Sequence, residues 1–152
     1  MRHSHKLADW HYISKAIMAL LTWKDSYSVG VKELDAQHQK IFELINRLYS
    51  AIVDMKEKYI IESVVDELIK YADLHFSTEE KYFDLYDYPE KNRHKEKHKE
   101  YVDRVNYFRK EVAVKDGSMS REILDFLEDW WNLHVMSVDK GYSRFFNDHG
   151  LY

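Results

Sequence analysis

Nine histidines and no cysteine restrict the strong metal ligands of this 152-residue chain to imidazoles and carboxylates. Without cysteine there are no disulfides, thiolate zinc sites or cysteine-held iron-sulfur clusters. Six candidate ligands stand out: His38, His75 with Glu79, His94 with His98, and His134. Residues four apart sit about 40° apart around a helix and about 6 Å along it. His75/Glu79 and His94/His98 can therefore each close on one small volume.

A lone inward histidine such as His38 is most often a hydrogen-bonded core residue. A single His-x-x-x-His pair within the lysine-rich stretch 91–99 says little by itself. The set is harder to dismiss, because imidazoles and carboxylates buried without partners cost roughly 1 to 3 kcal/mol apiece against a total stability of about 5 to 15. A metal ion removes that cost by taking their lone pairs. With Asp139 as a second carboxylate, the donors exceed the four positions of a tetrahedral structural zinc. Two octahedral ions sharing bridging carboxylates could use all of them and keep one position open, which favours a pair of irons.

Two rival patterns are missing. Lys95 follows His94 where a zinc protease would have Glu, and the Glu-x-x-His of carboxylate-rich ferritin-like di-iron sites does not occur. Asp139, five residues after His134, would lie about 140° away on a regular helix, so its participation demands a widened π-type turn between them.

The elements that must position these residues are legible from three- and four-residue steps. After Asp35, a good N-cap, one face carries His38, Ile41, Ile45, Leu48, Ile52 and Met55. A second face carries Ile61, Val65, Leu68, Ala72, His75, Glu79 and Tyr82, and its helix must end before Asp87-Tyr88-Pro89. His94, His98, Tyr101, Val105, Phe108 and Val112 mark a third helix, closed by Lys115-Asp116-Gly117-Ser118 with Gly117 free to take a positive φ. Ile123, Leu127, Trp130, His134, Val138 and Gly141 mark the inner face of a fourth.

Four helices joined by tight connections imply an all-α, up-down-up-down antiparallel four-helix bundle. The low content of Gly (4) and Pro (1) agrees with long helices. The domain is expected over 18–152, preceded by an N-terminal arm, 1–17, in which Leu7, Trp10, Ile17 and Leu21 could share a helical face.

Charges are interspersed, with a net of -4 and no basic stripe, so nucleic acid is not an expected partner. The apolar stretch Ala16 to Trp23 is far short of the ~20 residues of a membrane span and carries no convincing signal-peptide cleavage site. A cytoplasmic protein is expected.

Trp23, Tyr27-Ser28-Val29-Gly30-Val31, Leu34-Asp35-Ala36-Gln37-His38, His75-Phe76-Ser77-Thr78-Glu79-Glu80, Tyr88-Pro89, His94-x-x-x-His98 and His134-x-x-x-x-Asp139 together resemble the bacterial hemerythrins. The resemblance runs from about Ala19 to Phe146. It implies a non-haem, oxo- or hydroxo-bridged pair of irons. His94, His98 and His134 would hold one iron, His38 and His75 the other, and Glu79 and Asp139 would bridge them. It further implies reversible dioxygen binding at the two-histidine iron, for storage, delivery or sensing, and no enzymatic turnover. The alternatives are a di-iron oxidase, a peroxidase or nitric-oxide-processing enzyme, and an oxygen- or iron-sensing module.

Reversibility requires a dry pocket, for which Ile41, Phe76, Trp130, Trp131 and Val135 are the wall candidates, with ordinary core packing as their simpler role. Tyr142, one turn beyond Asp139, is a candidate second layer behind the ligands. Trp131 departs from the leucine usual in the family, which puts a larger ring beside the open position.

Overall fold

The computed structural model describes residues 22–152. The expected arm, with Leu7, Trp10, Ile17 and Leu21, lies outside the described residues. A short 3-10 turn, Asp25–Tyr27, leads into helix α1, Lys32–Val53, then α2, Ile61–Leu85, and α3, Lys91–Lys115. The fourth helix is composite: an α segment, α4, Ser120–Asp129, a π segment, Trp130–Val138, a 3-10 turn, Asp139–Tyr142, and a final α turn, α5, Ser143–Asp148. Helix α1 packs against α2 and α4, and α2 also packs against α3. Tyr101 against Trp130 and Phe108 against Phe126 close the bundle between α3 and the fourth helix. This is the antiparallel four-helix bundle that the stepping implied.

Most expected faces are buried, and those of α3 are buried throughout. The exceptions have local causes. Asp35 is not the N-cap of α1; it sits in the first turn and folds its carboxylate back to accept from Ser28 Oγ at 2.5 Å and the Val29 N–H at 2.7 Å. Met55 lies beyond the end of α1 with φ 55° and is 81% exposed. Val138 is only half-buried and Gly141 exposed, because the π segment shifts the inward face to Val135, Asp139 and Tyr142.

Two glycines have distinct duties. Gly30 takes φ 74°, and its carbonyl accepts from the Asn147 side-chain amide at 2.9 Å, tying the chain before α1 to α5. Gly117 is not among the positive-φ glycines. Its lack of a side chain instead allows close approach, since a Cβ there would meet the backbone of Lys58 at 3.1 Å.

The core is divided in two. The larger cluster runs from Ile41, Phe76, Tyr101 and Trp130 toward the far end of the bundle. The smaller holds Leu34, Phe83, Tyr88, Tyr142 and Phe146. On each helix the candidate ligands fall between a residue of one cluster and a residue of the other, so a polar layer crosses the bundle between two apolar ones.

Candidate metal centre

All of the expected ligands enter that layer. His38, His75, Glu79 and Asp139 are fully buried, and His94, His98 and His134 nearly so. Their donor atoms fall into two overlapping groups, His94, His98, His134 with Glu79, and His38, His75 with Glu79 and Asp139.

The carboxylates tie the groups together. Glu79 turns Oε1 toward His75 Nε2 at 3.3 Å and Oε2 toward His98 Nε2 at 2.8 Å and His94 Nε2 at 3.5 Å. Asp139 turns Oδ2 toward His38 Nε2 at 2.9 Å and Oδ1 toward His94 Nε2 at 2.9 Å and His134 Nε2 at 3.0 Å. Each carboxylate therefore offers one oxygen to the three-histidine group and the other to the two-histidine group. Asp139 reaches this position through the π segment, whose wider turn carries it around from the outward direction a regular helix would impose.

Hydrogen bonds orient two of the imidazoles. His75 Nδ1 donates to Gln37 Oε1 at 2.8 Å, and Gln37 is held in turn by Thr78 at 3.1 Å. His98 Nδ1 donates to Glu80 Oε1 at 2.9 Å. Both rings therefore turn Nε2 inward and keep Nδ1 for the outer partner, the orientation in which imidazole ligates once Nε2 is free of its proton. Tyr142 donates its hydroxyl to Glu79 Oε1 at 2.5 Å and so fixes that carboxylate.

Gln37 and Glu80 were not singled out as functional from the sequence. Their only signal is adjacency, since each neighbours a ligand on a helix that turns the next residue toward the opposite ring.

Electrostatics follow from the burial. Burial pushes His75 and His94 down, but the charges of Glu79 and Asp139 outweigh it and raise both to about 9. Burial dominates at His134, which lies below its ordinary value. Burial also pushes Glu79 and Asp139 up, yet the surrounding imidazoles hold both well below the usual carboxylate range. Without metal, two protonated imidazoles balance two ionised carboxylates.

That balance leaves atoms unused. Glu79 Oε2, Asp139 Oδ1 and the Nε2 atoms of His94, His98 and His134 are buried and close together, yet among the described residues none has a partner in good hydrogen-bond geometry. Five converging ligand atoms, with the proton of His94 displaced, are what bound cations would take up, so the residues present fit a metal centre.

The expected wall residues are all buried, in two places. Phe76 stacks on His98 with ring centroids 3.9 Å apart, and Trp130 stacks on His134 at 3.8 Å, so both lie against the three-histidine group. Trp131 packs with Phe42 at 4.1 Å, Tyr27 at 5.4 Å and Trp23 at 6.2 Å. That cluster anchors the segment before α1. Ile41 and Val135 belong to the larger core cluster. A further ring, Tyr71, stacks on His75 at 5.0 Å.

Comparison with known proteins supports the geometry. The family model described as hemerythrin HHE cation binding domain matches residues 29–145. A bacteriohemerythrin of Clostridium acetobutylicum is 32% identical over 129 residues, covering 81% of this chain and 98% of that protein. One of Stenotrophomonas maltophilia is 32% identical over 126 residues, covering 83% and 81% respectively. One of Methylococcus capsulatus is 29% identical over 127 residues, covering 83% and 96%. The match begins at the turn before α1 and ends beyond Asp139, enclosing every candidate ligand, and the chain belongs to the hemerythrin family.

Proposed function

We propose that this chain holds two iron ions and binds dioxygen reversibly at one of them, serving oxygen storage, delivery or sensing without net chemistry. The observation that carries the reading is the division of the carboxylate oxygens. Three imidazoles and two carboxylate oxygens surround one position, and two imidazoles and two carboxylate oxygens the other. Two six-coordinate ions sharing one further oxygen would be filled at the first position and one ligand short at the second.

A ferrous pair supplies the two electrons that dioxygen takes up on binding and returns on release. The protein's part is placement and exclusion. Gln37 and Glu80 fix the rings of His75 and His98, Tyr142 fixes Glu79, and Phe76 and Trp130 keep water from the ligand rings.

The test mixes the anaerobic, reduced, iron-loaded protein with oxygen. A visible absorption band should appear and fade again when oxygen is removed. Permanent bleaching to the oxidised form, or steady turnover of peroxide or nitric oxide by the same protein, would contradict the carrier reading.

A further inference from the structure

Two of the rings packed on the histidines carry polar hydrogens that find no acceptor in good hydrogen-bond geometry among the described residues. Tyr71 is 5% exposed and stacks on His75 with 23° between the planes. Trp130 is 8% exposed and stacks on His134 with 12° between the planes. Tyr101 stands between them, its ring 6.2 Å from Tyr71 and 4.6 Å from Trp130. The three rings form one wall reaching from the two-histidine group to the three-histidine group.

The polar atoms of that wall are not equivalent. The Tyr101 hydroxyl is spent on the Leu68 carbonyl at 3.3 Å. The Tyr71 hydroxyl is buried and finds no acceptor in good geometry among the described residues, and the Trp130 indole N–H is directed at the Tyr71 oxygen. Buried donors are nearly always satisfied, so a tyrosine hydroxyl without an acceptor beside the ligand layer, with an indole N–H behind its oxygen, points to a bound ligand as that acceptor.

The stacking on His75 places the hydroxyl in the field of the ligand carboxylates. Burial raises its pKa well above the ordinary tyrosine value, the Asp139 and Glu79 charges add to the rise, and the Trp130 indole N–H opposes it. A groove of about 660 Å³ between α1 and α2 also opens on Tyr71 and His75, with Gln37, Lys40, Lys70 and Leu74 on its walls.

We propose that the Tyr71 hydroxyl, backed by the Trp130 indole N–H, donates a hydrogen bond to a small anionic ligand at the two-histidine position and thereby sets which ligands that position retains. The proposal rests on the two-ion reading above, in which that position is one ligand short. A donor there selects for ligands that carry negative charge on an atom away from the metal. A purely apolar wall selects only by size.

Azide serves as the probe. The full-length, iron-loaded, oxidised protein and its Tyr71→Phe and Tyr101→Phe variants are titrated with azide by visible absorption, and the infrared stretch of bound azide is recorded in H₂O and D₂O. In the natural chain the stretch should shift on deuteration. Tyr71→Phe should retain its iron, bind azide about ten-fold more weakly and lose the deuterium shift. Tyr101→Phe, which removes a hydroxyl already in use, should keep both natural values.

Natural azide affinity with a retained deuterium shift in Tyr71→Phe overturns the proposal. Loss of iron from that variant also overturns it, since Tyr71 would then serve to build the centre. A natural chain that holds two irons yet takes up no azide removes the open position itself, and the proposal falls together with that reading.

Discussion

Loading metal into the metal-free protein at pH 7.5 should release about two protons per chain. His75 and His94 are both raised to about 9, because Glu79 and Asp139 outweigh the burial that would lower them. At pH 7.5 each is therefore almost fully protonated, and each must be neutral to ligate. His134, held below 6.5 by burial, gives up nothing at this pH, and Glu79 and Asp139 are already ionised. With two protons displaced, apparent affinity for the metal pair should fall about 100-fold for each pH unit below 9.

Anaerobic titration calorimetry with ferrous ion, in two buffers of different ionisation enthalpy, counts the protons directly. No proton release, with affinity flat between pH 7 and 9, would refute the reasoning. The same shifts fix the sign of metal-free stability. The raised imidazoles stabilise fully below pH 6.5 and lose their contribution as pH rises through about 9. The lowered carboxylates stabilise above their ordinary values of 4.5 and 3.8 and lose their contribution as pH falls through their depressed folded-state values.

Glu80→Gln keeps an acceptor for His98 Nδ1 but removes its charge, and should lower iron affinity about ten-fold in a chelator competition while leaving helicity unchanged. Gly117→Ala forces a Cβ against the Lys58 backbone at 3.1 Å, so urea unfolding of the metal-free protein should show a loss of about 1 to 3 kcal/mol with iron content unaltered.

The bundle and six of the ligands are legible in the sequence because one rule, three- and four-residue stepping, places His38, His75, Glu79, His94, His98 and His134 on buried faces. Asp139 is legible only if the helix is allowed to widen, and the π segment at Trp130–Val138 does so. The same widening explains why Val138 and Gly141, inward on a regular helix, are not core residues.

Other features lay beyond local pattern. Asp35 has the chemistry of an N-cap, but whether it starts the helix or folds back from the first turn depends on Ser28 and Val29. Gly117 reads as a turn residue, yet its role is set by Lys58, which is distant in sequence. Gln37, Glu80 and Tyr71 take their meaning from rings on other helices or on the next turn, contacts that appear only when the helices are placed together.

The central claim is a pair of irons shared by Glu79 and Asp139, and the most direct test is the metal content of protein purified without added metal, together with its absorption spectrum in air. Two irons per chain, with the near-ultraviolet and visible bands of a bridged ferric pair, is the predicted result. A single metal ion per chain, or zinc in place of iron, would contradict the account.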